Sequence, residues 1–341
     1  MQALRLYGPR DLRLVEEPTP VPAPGQVLLR VRSVTVCHSD IHYYHDGHIG
    51  DTHATVPLVL GHEFSAEVVS VPEGVTHIKP GDLVAVEPAV SCGHCWACIE
   101  GNPNICEYLQ FSGTPPLDGA LREYMSYRPE FCFALPKDMT ADEGALLEPL
   151  GVALYAWDLG RLRVAETVAI VGCGPIGLLA VQLARIAGAS QILAVEPLAY
   201  RRELAERWGA IALDPADDLE ARVKTLTHGR GVDLVIEMAG ALPAQDTASR
   251  LARRGGKVLL VGIPPEDQIL MSHHVPRRKD LNIHVVRRMK HTYPRAIKLV
   301  QQKMIAVMPL ATHHFRLDQA SEAFELVSEY RDGVLKAVIT P

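Results

Sequence analysis

Residues 167–177 constrain this chain more tightly than any other stretch. Thr167-Val168-Ala169-Ile170-Val171 runs directly into Gly172-Cys173-Gly174-Pro175-Ile176-Gly177. Beyond it, Ile176, Leu179, Ala180, Leu183 and Ala187 recur on one face at helical spacing. The β-branched run reads as a buried parallel strand. Glycines at the first, third and sixth positions allow a tight turn, and they let a pyrophosphate approach the backbone at a helix N-terminus. Strand, glycines and helix in that order predict a dinucleotide-binding βαβ unit. The next strand, residues 191–195, ends at Glu196, nineteen positions after Gly177. A carboxylate there accepts hydrogen bonds from both adenosine ribose hydroxyls and repels a 2′-phosphate, so NAD is expected rather than NADP. Arg201 and Arg202 follow, where a guanidinium either stacks on adenine or reaches a phosphate.

The β–α alternation continues through a helix over 198–208 and strands over 232–238, 257–262 and 281–286. This predicts an open, doubly wound sheet of about six strands. Arg287 and Arg288 leave its last strand, where they serve either as surface charge or as site residues. A helix over 293–301, another striped by Ala320, Ala323, Phe324 and Val327, and a strand over 334–339 are expected to return to the first domain.

The first 150 residues have a different character. Strands are expected over 1–7, 12–15 and 27–36, separated by Pro18, Pro20, Pro22 and Pro24, which bar both helix and sheet interior. The third strand delivers Cys37, followed by Ser39, Asp40, His42 and Tyr43; Ser39 or Asp40 is expected to cap a helix. Residues 45–56 read as a loop. The apolar run 56–60 ends at Gly61-His62-Glu63. Imidazole, carboxylate and thiolate are all zinc ligands, and Cys37, His62 and Glu63 together could form a three-ligand catalytic site. Further strands are expected over 66–71, 81–86 and 121–127. Cys92, Cys95 and Cys98 at intervals of three, then Cys106, can give four sulfurs to one ion. Structural zinc is the reading, with an iron–sulfur cluster or a redox thiol pair as alternatives. Thr140 with Glu143 forms a capping box. The helix it starts contains Glu148 inside an apolar run, where a carboxylate either turns to solvent or is buried near a metal.

Composition narrows the function classes. At 341 residues, with 48% apolar and 22% charged residues, the chain has room for two domains. Net charge is −6, and the absence of a long basic run argues against a nucleic-acid partner. No apolar run reaches about 18 residues, and the first residues do not read as a signal peptide. Seven cysteines in a chain this long, four of them clustered, suggest metal binding in a reducing cytoplasm rather than a disulfide framework.

These motifs together resemble the zinc-dependent medium-chain dehydrogenases, and among them the sorbitol (polyol) dehydrogenases. The resemblance spans essentially the whole chain. It rests on Cys37-His38-Ser39-Asp40-Ile41-His42-Tyr43-Tyr44, Gly50-Asp51, Gly61-His62-Glu63 and the four-cysteine lobe. Thr114-Pro115-Pro116, Asp118-Gly119 and Glu143-Gly144-Ala145-Leu146-Leu147-Glu148-Pro149-Leu150 are the narrower polyol-type marks. It implies an α/β protein: a GroES-like β-rich catalytic domain (residues 1–152 and 291–341, with the zinc lobe over 90–107) and a doubly wound Rossmann domain (153–290). A dimer or tetramer is implied. Cys37, His62 and Glu63 match residues tied to the catalytic zinc, and Glu148 matches one beside the metal or its water. Ser39, Tyr43, Phe111, Glu148 and Arg288 match the polyol site. Ile176, Glu196, Arg201, Gly262, Ile263 and Arg287 match cofactor contacts, beside the glycine turn at Gly172, Gly174 and Gly177. The expected reaction is NAD-dependent oxidation of a secondary alcohol in a polyol or sugar-like substrate, with Glu148, Ser39 and His42 handling the proton. Threonine or a simple alcohol is the alternative substrate, and a non-catalytic dinucleotide-binding zinc protein the alternative class. The chain departs from the family motif at Ala66 and Pro72, where glycines are usual, and at Met289, where polyol enzymes tend to have an aromatic hydroxyl.

Overall fold

The computed structural model describes residues 1–54, 57–264 and 268–341. Val56, which opens the apolar run before Gly61 and closes the loop expected over 45–56, lies outside them. The chain divides into two compact units: Met1–Gly151 with Lys290–Pro341, and Val152–Met289.

The first unit is built on a seven-stranded sheet. Its order is Cys132–Ala134, Leu83–Val86, Glu63–Ser70, Val27–Thr35, Lys336–Thr340 and Ala311–Arg316, with Tyr124–Tyr127 also pairing Val27–Thr35. Val27–Thr35 lies at the centre. Its alternation puts Leu29 and Val31 into a core that also holds Phe64, Val68, Phe324 and Ile339. The edge of Val27–Thr35 that would otherwise be an open pairing template is shared: Tyr124–Tyr127 pairs its first residues, Val27 to Arg30, and the closing strand Lys336–Thr340 pairs Val34 and Thr35.

Several elements differ from their sequence expectation. The strand expected from residue 66 begins at Glu63, so Glu63 is itself a sheet residue. Helix His38–Asp46 is capped by Cys37, not by Ser39 or Asp40. Asp40 instead reaches back from the first turn to accept the Cys37 amide at 3.0 Å. Within the expected loop 45–56, His48–Ile49 and Thr52–His53 form a short hairpin. The capping box at Thr140 forms, but its helix ends at Ala145 and a second runs Leu147–Gly160. Pro149 explains the break: it has no amide for the Ala145 carbonyl four residues back, and its ring would clash there.

The second unit holds a six-stranded, all-parallel sheet. Its order is Ile211–Leu213, Gln191–Val195, Thr167–Val171, Val232–Glu237, Ala252–Leu260 and Asn282–Val285. The order reverses between Thr167–Val171 and Val232–Glu237, which creates a crevice at the strands' carboxyl ends. Helix Pro175–Ile186 packs tightly at that point. A Cβ on Gly177 would fall 2.0 Å from the Gly172 carbonyl oxygen, so this position admits no side chain.

In the first unit, Tyr293 fastens the returning C-terminal segment. Its ring is buried, stacks on Phe133 at 4.9 Å, and its hydroxyl donates to the Val86 carbonyl at 2.7 Å. Tyr293→Phe leaves that carbonyl without its buried donor. It is expected to lower stability by about 1–3 kcal/mol, read by urea denaturation; an unchanged midpoint would contradict this.

Candidate active site

Strand register assembles the site. Val27–Thr35 pairs antiparallel with Glu63–Ser70, placing Thr35 opposite Glu63. On its other side it pairs with Lys336–Thr340, placing Thr35 opposite Val338. Cys37 lies just beyond the end of the central strand, and His62 just before Glu63. One ligand atom from each of Cys37, His62 and Glu63 falls within 4.8 Å of the other two.

The ring orientation of His62 is fixed from both sides. Its Nδ1 lies 3.3 Å from Asp40 Oδ1, and Asp40 also accepts the Gly61 amide at 3.2 Å. Donation from Nδ1 to a carboxylate leaves Nε2 as the lone-pair atom, as in metal-bound histidines. Ser39 Oγ lies 3.4 Å from Nε2, and the Phe111 ring sits 5.1 Å from the imidazole. Burial works against a charged His62, but Asp40 and Cys37 outweigh it and raise the imidazole well above its usual range, so a metal cation at Nε2 would take the place of a proton there. The pocket therefore favours positive charge, which suits a cation.

Glu63 is fully buried and has a partner that the sequence reading missed. Lys336 Nζ lies 2.6 Å from both of its carboxylate oxygens and 3.1 Å from the Val36 carbonyl. The Thr35 hydroxyl donates to the same carboxylate. Burial pulls the Lys336 ammonium down, yet Glu63, Cys37 and Glu148 together raise it above its ordinary value. Glu148, buried in the first turn of Leu147–Gly160, thus belongs to the same electrostatic neighbourhood. The signal for Lys336 was present: a lysine within the apolar run Val334-Leu335-Lys336-Ala337-Val338-Ile339 needs a buried partner. Asp40 was read only as a cap.

The remaining expected residues of the first unit lie on helix His38–Asp46 and in the cysteine lobe. Tyr43 is buried on helix His38–Asp46. His42 lies on the same helix, with Nδ1 3.6 Å from Asp46 Oδ2. The four-cysteine lobe is compact. Cys92 and Cys98 sulfurs are 4.0 Å apart, and those of Cys95 and Cys106 are 3.8 Å apart. Four sulfurs about 2.3 Å from a common tetrahedral centre would be spaced about 3.8 Å apart, so the lobe fits zinc. The backbone amide of Cys98 pulls the Cys95 thiol down to about 6, toward the thiolate a metal needs, while burial pushes the neighbouring Cys98 thiol up.

In the second unit, Glu196 Oε2 accepts the Cys173 amide at 2.7 Å, inside the glycine turn, and Oε1 the Leu198 amide at 3.0 Å. Arg201 Nη1 lies 3.9 Å from the position of a Cβ on Gly174. Arg202 is already engaged by Asp214 at 2.9 Å and by the Glu196 and Pro197 carbonyls. Gly262 and half-exposed Ile263 follow strand Ala252–Leu260. Arg287 and Arg288 follow Asn282–Val285, and Arg288 adopts a left-handed φ of 54°.

A cysteine–histidine–glutamate cluster in one unit and a glycine-turn parallel sheet in the other define a metal-dependent dehydrogenase. Residues 23–137 match the alcohol dehydrogenase GroES-like domain, and residues 175–302 match the zinc-binding dehydrogenase family. The chain is 36% identical over 344 residues to sorbitol dehydrogenase of Bacillus subtilis (strain 168), covering 100% of this chain and 97% of that one. It is similar to the crystal structure of an Escherichia coli oxidoreductase/dehydrogenase, with a TM-score of 0.94 at 32% identity, covering 99% and 98%. A putative zinc-binding dehydrogenase from Sinorhizobium meliloti 1021, bound to NADP, gives a TM-score of 0.90 at 31% identity, covering 100% and 99%. The chain belongs to the zinc-dependent medium-chain dehydrogenases, in their sorbitol-dehydrogenase-like branch.

Lys336→Met removes the only ammonium bonded to a fully buried carboxylate among the described residues. Zinc-free enzyme carrying it is expected to lose about 3–5 kcal/mol of stability, because the Glu63 charge is left buried and uncompensated. Added zinc should restore much of that loss. Chemical denaturation with and without zinc checks both effects.

Proposed function

We propose that this enzyme oxidises a secondary alcohol of a polyol or sugar-like substrate to the ketone, with NAD as hydride acceptor. The observation that carries the reading is the convergence of Cys37, His62 and Glu63, with Ser39 beside His62 Nε2. Full-length similarity to a sorbitol dehydrogenase supports the substrate class. Unit Met1–Gly151 with Lys290–Pro341 is the catalytic domain in this reading, and Val152–Met289 the cofactor domain.

Cys37, His62 and Glu63 would hold the catalytic zinc, with Glu148 beside it, and the four lobe cysteines a structural one. When bound, zinc supplies Lewis acidity that lowers an alcohol's pKa, and the dinucleotide supplies the hydride acceptor. The protein's own residues do the rest. Asp40 fixes the His62 ring, and Lys336 holds the Glu63 carboxylate in place. Ser39 receives a proton beside the donor set. His42, three residues on along the same helix, passes it outward toward Asp46. Tyr43, Phe111 and Glu148 would bound the substrate.

NAD is favoured over NADP by the placement of charge. Glu196 presents a carboxylate at the end of its strand, and Arg202 is neutralised by Asp214 instead of being poised for a phosphate. Arg201 lies over the glycine turn, where it can serve the pyrophosphate. Gly172, Gly174, Ile176, Gly177, Gly262, Ile263 and Arg287 complete the proposed cofactor contacts. The thiolate ligands fit a cytoplasmic residence, and no described helix is long and apolar enough to cross a membrane.

A homo-oligomer is also proposed, through strand Asn282–Val285. Every residue of that strand is exposed, with Ile283 at 37% and Val285 at 61%. Parallel sheets are normally covered, and an open edge is a template for a second copy of the same strand. Val285→Lys is expected to shift the protein toward monomer in sedimentation velocity; a native enzyme that already sediments as a monomer would overturn the assembly.

A panel of polyols, threonine and simple alcohols, run with NAD and NADP and read by reduced-cofactor absorbance, tests the reaction. Cys37→Ser is expected to weaken zinc binding at the catalytic site by at least about 10–100-fold and to abolish turnover. Full activity with unchanged zinc content would refute the site.

A further inference from the structure

Glu237 is fully buried at the carboxyl end of strand Val232–Glu237, and the reaction as described gives it no role. In register it lies between Val171 on one neighbouring strand and Leu260 on the other, beside the point where strand order reverses. Its Oε1 accepts two backbone amides, Ala239 and Gly240, each at 2.7 Å. Its main-chain carbonyl accepts the amides of Val261 and Gly262 at 2.8 and 3.2 Å. Its Oε2 is buried with no hydrogen-bond partner among the described residues.

The turns around this carboxylate have no spare room. A Cβ on Gly262 would fall 2.1 Å from the Gly240 amide and 3.0 Å from Glu237 Oε1. A Cβ on Gly240 would fall 2.5 Å from the Ile263 carbonyl oxygen. The turn after Val232–Glu237 and the turn after Ala252–Leu260 are therefore pressed together, with Glu237 as the group that ties both. An orphaned oxygen in this position is costly. Burial pushes the carboxyl up even though the amides of Gly240, Ala239 and Gly262 pull it down. A local cost of this kind, at the mouth of a ligand crevice, is expected where function requires it.

We propose that Glu237 is a positioning residue for the nicotinamide half of the dinucleotide. The adenosine half belongs to the side of the sheet where Glu196 ends its strand. The second mononucleotide half then lies over the turns that follow Val232–Glu237 and Ala252–Leu260. By fixing Gly240 against Gly262 and Ile263, Glu237 sets the backbone surface that this half meets. The proposal rests on the dinucleotide reading above, and its test separates the two.

The test uses zinc-replete enzyme and two ligands: NADH, which spans both halves, and ADP, which carries only the adenosine half. Dissociation constants are measured by fluorescence for NADH and by calorimetry for ADP. Glu237→Ala is expected to weaken NADH by about tenfold while leaving ADP within about twofold. Glu237→Gln keeps an oxygen at Oε1 and is expected to recover most of the NADH affinity. Equal loss of NADH and ADP would mean a general structural role and would overturn the proposal, as would unchanged NADH binding in Glu237→Ala. If Glu237→Ala does not fold, Glu237→Asp, one methylene short of the two amides, is judged by the same pair of ligands and the same criteria. Wild-type enzyme that binds neither ligand would overturn the dinucleotide reading itself, and this proposal with it.

Discussion

A buried ion pair holds the candidate metal centre together. Glu63 is fully enclosed, and Lys336, only 4% exposed, places its ammonium on both carboxylate oxygens. Either group alone would be too costly to keep charged in this interior. The two come from opposite neighbours of the central strand, so the pair forms only when all three strands are in register. Forming the sheet and forming the candidate acidic ligand are thus one event. The first 150 residues cannot complete the site without the last few, because the cation that stabilises Glu63 arrives on the closing strand.

The two candidate zinc sites use different physical strategies. The four-cysteine lobe is local in sequence, closed by short spacings and by amides that donate to its sulfurs. The Cys37, His62 and Glu63 cluster mixes ligand types and draws on three strands and a helix. Asp40 orients His62, Lys336 and Thr35 hold Glu63, and Ser39 and Phe111 flank the imidazole. A closed four-sulfur site suits a fixed loop, whereas a three-ligand site with polar neighbours leaves a position for a reacting molecule.

The cofactor unit repeats one device. In each half of the parallel sheet, a carboxylate at a strand end binds backbone amides of a turn. Glu196 fastens the glycine turn at Cys173, and Glu237 fastens the turn at Ala239 and Gly240. The sequence made Glu196 conspicuous because its distance from Gly177 is a known ribose-binding spacing. Glu237 has no such motif. It emerges only when burial and hydrogen bonds are counted, since its neighbours in space are turns 2 to 25 residues away.

The sequence by itself determined the two-domain α/β architecture, the glycine turn, the four-sulfur lobe and the three metal-ligand candidates. Each depends on short spacings or on periodicity, which a linear reading captures. It also marked Glu148 as a carboxylate out of place. Tertiary structure alone decided that Cys37 rather than Ser39 or Asp40 caps its helix and that Glu63 lies within a strand. It alone supplied Asp40, Thr35 and Lys336 as supports of the donor set. Their partners lie up to 273 residues away, and a buried charge reveals its counter-ion only when the strands carrying them are brought into register.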